Sequence, residues 1–194
     1  MKSINTQKMV MLALLTAVVL VLQLLSSFIP VYPFKLNLVI VPIVIGAAMI
    51  SPFAGLWLGL VFGFVVLVSS SDVIPFMVFS PLATIIVILL RGALSGLAAG
   101  FTYNILEKKN KTVAVLVAAF VCAITNTGLF VIGVYLFFLP LLAEWGVSGA
   151  AEIASFVFIG MIGINFLIEM AVNLILGPVI VRLIQYRRGI KSEN

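Results

Sequence analysis

The sequence predicts an all-α membrane protein of six transmembrane helices, with both termini cytoplasmic. Two observations lead there. Of 194 residues, 64% are hydrophobic and only 9% charged, with a mean hydropathy of +1.36. A soluble domain is about half apolar and about a quarter charged. Second, the basic residues cluster at one side of the apolar segments rather than spreading along them.

The segments fall near 9–29, 36–50, 53–70, 78–104, 112–139 and 153–184, broken by Pro, Ser or charge. A span needs about 20 apolar residues, so the first, fourth and fifth are ample. The first is too long for a signal-peptide core and lacks a clear A-x-A site after it, so it is expected to stay attached. The second is short, contains Pro42 and ends at "SPF" (51–53), which predicts a tilted or kinked helix. The sixth exceeds one straight span, and its end, "RLIQYRRGIK", is expected at the interface. No heptads, low-complexity tracts or repeats interrupt the series, which reads as one integral membrane domain over 1–194.

Even-numbered spans put both termini on one side. That side collects Lys2, Lys8, Lys108, Lys109, Lys111, Arg182, Arg187, Arg188 and Lys191. Lys35 stands alone opposite, among Asp72, Glu144 and Glu152. The positive-inside rule therefore assigns the basic side, with both termini, to the cytoplasm, and gives the net charge of +5 a membrane role rather than a nucleic-acid one. The inner connections "SP" and "EKKNK" are short. The outer ones, "PVYPFK" (30–35), "SSSDVIPF" (69–76) and "PLLAEWGVSGAAE" (140–152), are long enough to close over a site.

Composition also removes chemistry. There is no histidine, which takes away Ser-His and Cys-His catalysis and the commonest zinc ligand. The one cysteine, Cys122, lies in an apolar run and reads as a small buried hydrophobe. No phosphate-cradling GxxxxGK[ST] loop exists, so the chain is not expected to hydrolyse ATP. The protein is not expected to be an enzyme, and no metal or cofactor is expected in it.

Three faces carry small residues four apart: Ala13 and Ala17; Gly55, Gly59 and Gly63; Gly92, Gly96 and Gly100. Such faces let helix backbones approach closely in lipid. They serve packing within the chain, docking of another membrane protein, or both.

Polar residues gather mid-span. In "INFLIEMAVN" (164–173), Asn165, Glu169 and Asn173 recur four apart and so share a helix face. Counted from the outer ends, Arg91 lies about 13 residues in and Glu169 about 16, or roughly 20 and 24 Å deep. With Asn126 between Thr125 and Thr127, these make a candidate cluster of Arg91, Asn126, Asn165, Glu169 and Asn173. An intramembrane charge is normally paired, so Glu169 reads as the group that orients Arg91, leaving guanidinium donors for a ligand. A proton or ion relay uses the same pair, so a self-sufficient carrier or channel, or a structural membrane subunit, stays open at this point.

With these residues in view, the chain resembles the substrate-binding (S) components of energy-coupling-factor (ECF) vitamin transporters. The resemblance runs through "ALLTAVV", "LNLVIVPIVIGAAMISPFAGLWLGLVFGFV" and "SPLATIIVILLRGALSGLAAGFTYNILEKKNK". It implies high-affinity binding of a water-soluble vitamin near the outer face. It also implies two kinds of partner, a transmembrane coupling (T) protein and two cytoplasmic ABC ATPases that supply the ATP hydrolysis. The family's alanine pair that contacts the coupling protein corresponds to Ala13 and Ala17. By region, the resemblance places the pocket at Tyr32, Lys35, Asn37, Thr84, Arg91, Asn126, Trp145 and Asn165, with Glu169 behind it. A carboxylate cargo suits Arg91 or Lys35, which ranks pantothenate first. Riboflavin or folate follow, because only two Trp and four Tyr offer an aromatic clamp, although 15 Phe are present.

Overall fold

The computed structural model describes residues 6–28, 39–147 and 149–157. Among them every element is helical: α1 (Thr6–Phe28), α2 (Ile40–Met49), α3 (Pro52–Ser69), a 3-10 turn (Ser71–Val73), α4 (Ile74–Phe79), α5 (Pro81–Leu106), α6 (Lys111–Phe137), α7 (Leu139–Glu144) and α8 (Ala150–Ser155). Four of these, α1, α3, α5 and α6, are long and apolar enough to cross a membrane. The chain is thus a multi-pass membrane protein. The second predicted span appears as the ten-residue α2, about 15 Å long. The sixth, 153–184, lies outside the described residues beyond residue 157.

Local chemistry sets the helix starts. Ser51 is extended and its Oγ accepts from the Ala54 amide at 3.2 Å, while Pro52 takes the first helical position. This is the N-cap–proline arrangement in which the missing N–H is no loss. "SPFAG" is therefore a built helix start as well as a break. Asn110 does the same for α6, its Oδ1 accepting from the amides of Thr112 (2.9 Å) and Val113 (3.2 Å).

The fourth predicted segment, 78–104, divides. Pro81 bars the α conformation from the residue before it; Ser80 is extended (φ −152°, ψ 92°), and α4 stops at Phe79 before α5 begins. Arg91 then lies ten residues beyond Pro81, about 15 Å from that end rather than 20. The long outer connections are also partly helical: 69–76 holds the 3-10 turn and the start of α4, and 140–152 holds most of α7 and the start of α8.

The centre of the bundle is a contact between backbones. A Cβ on Gly55 would strike the carbonyl of Gly96, one on Gly59 that of Gly92, and one on Gly63 would lie 2.9 Å from the Ile88 oxygen. Gly100 meets Pro52. Positions rise on α3 as they fall on α5, so the helices are antiparallel and their two glycine faces are spent on each other. α2 leans on the same seam, with Ile43 beside Gly96 and Ala47 beside Gly55.

α6 packs on the next face of α5, Val87 filling the notch at Gly133. Here too the helices are antiparallel. One end of the bundle therefore carries the basic α5–α6 turn, and the other carries α4, α7 and α8. A large apolar core fills the middle and includes Leu58, Tyr103, Val115 and the buried Cys122. A separate core closes the second end, built from Phe76, Ala83, Val87, Val134, Phe138, Leu141, Leu142 and Val157.

α1 is different. Only 11% of its apolar window is buried, against 44% for α3. One polar tie to the bundle is the Trp57 Nε1 donating to Thr16 Oγ1 at 3.3 Å. Ala13 and Ala17 flank Thr16 and are exposed.

Candidate functional site

On α5, Thr84, Val87, Arg91 and Ser95 follow one another at the three- and four-residue steps that share a helix face. Opposite them on α6 stand Gly133, Phe130 and Asn126. The Arg91 Cζ lies 4.9 Å from the centroid of the Phe130 ring. A guanidinium in this position is attracted by the ring quadrupole, by about 0.5–1 kcal/mol when exposed and about 2 or more when desolvated.

Phe130 leads into a run of rings. It meets Phe76 edge to face at 6.2 Å; Phe76 meets Phe138 at 4.9 Å and Trp145 at 5.9 Å; and Trp145 meets Phe156 at 6.2 Å. Edge-to-face pairs at these separations are each worth about 0.5–1.5 kcal/mol beyond area burial. The run closes the α4 end of the bundle. It owes its geometry to the helix break at Ser80, which points Phe76 back over α6, and to α7, which turns the chain after Phe138.

Thus Arg91 and Trp145, 54 positions apart, belong to one continuous set of contacts. The residues that join them, Phe130 and Phe76, were not singled out by the sequence, nor were Phe138 and Phe156. Phe130 was within reach: it lies four residues after Asn126 and shares its face.

Asn126 is the polar centre of the wall. It is only 6% exposed, and its Oδ1 is wholly buried without a hydrogen-bond partner among the described residues. Leaving such a group unmet costs about 1–3 kcal/mol. The register set by Val87–Gly133 and Arg91–Phe130 puts Asn126 level with Ser95. That hydroxyl is engaged, donating to the Gly92 carbonyl at 2.8 Å. Thr84 is buried too, and its Oγ1 donates to the Ser80 carbonyl at 2.8 Å, stitching the first turn of α5.

Tyr32, Lys35, Asn37, Asn165, Glu169 and Asn173 lie outside the described residues. Among the described residues no group of three or more His, Cys, Asp or Glu is placed to hold a metal ion.

The sequence profile of the ECF transporter substrate-specific component family matches residues 7–181. The chain belongs to that family. No curated protein matches the chain. The match takes in the four described helices that are long and apolar enough to cross a membrane, α1 from its second residue on, together with both glycine faces and the aromatic end of the bundle. This S component is accordingly the substrate-binding subunit of a transporter and not an enzyme. Within it, Arg91 and the Phe130–Phe76–Trp145 run form one set of contacts, and Asn126 lies one helical turn from Phe130 on the same face of α6. They combine a fixed cation, a buried amide oxygen and aromatic surface in one place.

Proposed function

We propose that this S component captures a water-soluble vitamin or related micronutrient in the wall between α5 and α6, under the aromatic end formed by α4, α7 and α8. The observation that carries the reading is Asn126, a buried amide with an unmet oxygen, one helical turn from the Arg91–Phe130 pair. Arg91 offers charge to an acidic group of the cargo, Asn126 offers an acceptor, and Trp145 screens the site from the exterior. Tyr32, Lys35, Asn37, Thr84 and Asn165 complete the pocket, with Glu169 holding Arg91 in place. The aromatic run supports a flat cargo, which moves riboflavin and folate ahead of pantothenate.

The chain works in the cell membrane with its termini and the Lys108–Lys109–Lys111 turn in the cytoplasm, as six spans and the positive-inside rule require. Delivery depends on a transmembrane coupling protein and two cytoplasmic ATPases, which bind and hydrolyse the ATP. The exposed Ala13/Ala17 face of α1 is the docking surface for the coupling protein. Support comes from the fate of the other small-residue faces: both are consumed in the α3–α5 seam, and this one is not.

Native mass spectrometry of the purified protein tests the binding half, with a retained vitamin as the expected result. Uptake into liposomes tests the other half. Flux is expected only with the coupling protein, both ATPases and ATP; flux through the S component alone would overturn the reading in favour of a self-sufficient carrier.

A further inference from the structure

The turn between α5 and α6 carries Lys108, Lys109 and Lys111, with Glu107 as its one acidic residue. The other end of the bundle carries Asp72, Glu144 and Glu152 instead. Hydrogen bonds fix the turn: the amides of Lys109 and Asn110 both donate to the Leu106 carbonyl, at 3.0 and 3.2 Å, and Asn110 caps α6. Lys108 and Lys109 are exposed and Lys111 is half-buried.

Helix electrostatics account for part of this pattern. Lys108 and Lys109 follow the C-terminus of α5, where a cation suits the helix dipole. Lys111 opens α6 and opposes the dipole there, and no acidic residue stands in that first turn. Three like charges on a short, fixed turn repel one another, so the arrangement favours an anion brought from outside it.

The neighbouring side chains identify the anion. Phe101 and Ile105 near the end of α5, and Val113 at the start of α6, are apolar and exposed, Ile105 by 73%. In a membrane-crossing chain such residues face lipid tails, which puts the lysines one turn further along at the depth of the headgroups. Lysine stems lie along apolar surface and carry their ammonium groups to that level. The docking face assigned to the coupling protein is on α1, which packs on α3 and α2. We propose that the Lys108–Lys109–Lys111 turn binds the headgroup phosphate of an anionic lipid in the inner leaflet. The leaflet rests on the cytoplasmic placement of the turn proposed above; the attraction rests on the lysines alone. Because α5 is locked to α3 through backbone, a lipid held here ties both helices to one membrane surface.

Titration of phosphatidylglycerol and phosphatidylcholine into the purified full-length protein in neutral detergent, read by native mass spectrometry, tests this. Phosphatidylglycerol is expected to bind more tightly, and the preference to shrink as salt rises from about 0.05 to about 0.5 M. Replacing all three lysines by glutamine should weaken phosphatidylglycerol by about tenfold to a hundredfold, at about fivefold for each lysine. The same charge change made by Arg187→Gln, Arg188→Gln and Lys191→Gln should weaken it by less than about threefold. If the triple lysine variant does not fold, the lipid preference and its salt dependence in the unaltered protein still decide.

Equal binding of the two lipids, or equal losses in the two triple variants, would overturn the inference. So would displacement of phosphatidylglycerol by millimolar inorganic phosphate, which would make the turn a general anion site. Loss of assembly with the coupling protein and ATPases in the lysine variant, with phosphatidylglycerol binding unchanged, would assign the turn to a protein partner instead. Labelling of Lys109→Cys by an impermeant maleimide added outside intact cells would overturn the leaflet and the topology beneath it, and the titration would still judge headgroup binding.

Discussion

Gly59 and Gly92 touch backbone to backbone: a Cβ on either would collide with the carbonyl oxygen of the other. Neither collision can be relieved by turning a side chain, because the obstacle is main chain. Gly59→Ala and Gly92→Ala are each expected to destabilise the protein by about 1–3 kcal/mol or more, as overpacking does. Thermal unfolding in detergent measures this. Gly128→Ala is the control, since nothing among the described residues lies within 4 Å of its Cβ position. It should change stability by no more than about 0.5 kcal/mol.

The hydrogen bond from Trp57 to Thr16 fastens α1 to α3, and Thr16 in turn donates to the Leu12 carbonyl at 2.8 Å. An indole N–H in hydrocarbon has few other partners. Interhelical hydrogen bonds in membranes average about 0.6 kcal/mol and reach about 1.7. A double-mutant cycle of Trp57→Phe and Thr16→Val should return a coupling in that range. A coupling near zero would mean that this hydrogen bond contributes nothing to holding α1 on α3.

Arg91 lies over Phe130 as a planar cation, and lysine does not reproduce that geometry. Arg91→Lys and Phe130→Leu should each weaken ligand binding by about twofold to thirtyfold, the span expected for losing a cation–π contact. Circular dichroism and gel filtration of both variants should match the unaltered protein. Equal losses in the single and double variants would show that the two side chains act as a unit.

Ala13→Trp and Ala17→Trp place bulk on a face that the rest of the described bundle leaves exposed. Both should abolish vitamin uptake in the assembled transporter while leaving ligand affinity within about twofold. An equal loss of binding would show that the face packs inside the S component.

The bundle was legible where the sequence carried periodic signals. Gly55, Gly59 and Gly63 and their counterparts on α5 were visible as stripes, and their contact with each other gives the stripes their meaning. Helix starts at Ser51–Pro52 and Asn110 were equally readable, because capping chemistry is local. The aromatic end was not readable. Phe76, Phe138 and Phe156 lie in segments where almost every neighbour is apolar, so composition does not distinguish a ring that lines a site from one that meets lipid. What distinguishes them is the turn forced by Pro81 and the reversal through α7, both of which are tertiary. Of the candidate site, Arg91 and Trp145 are joined through Phe130 and Phe76, and Asn126 shares the helix face of Phe130. Thr84 lies on the same face of α5, though its hydroxyl serves the helix.

The α3–α5 seam also has a mechanical consequence. Helices that meet through side chains can slide, because rotamers yield. Here the carbonyls of one helix sit where the Cβ atoms of the other would be, and no compliant layer separates them. The pair behaves as a single stiff plate through the thickness of the membrane, with α2 leaning on the same seam. Any rearrangement of the described bundle is therefore expected to carry α3 and α5 together as one body rather than to slide one past the other.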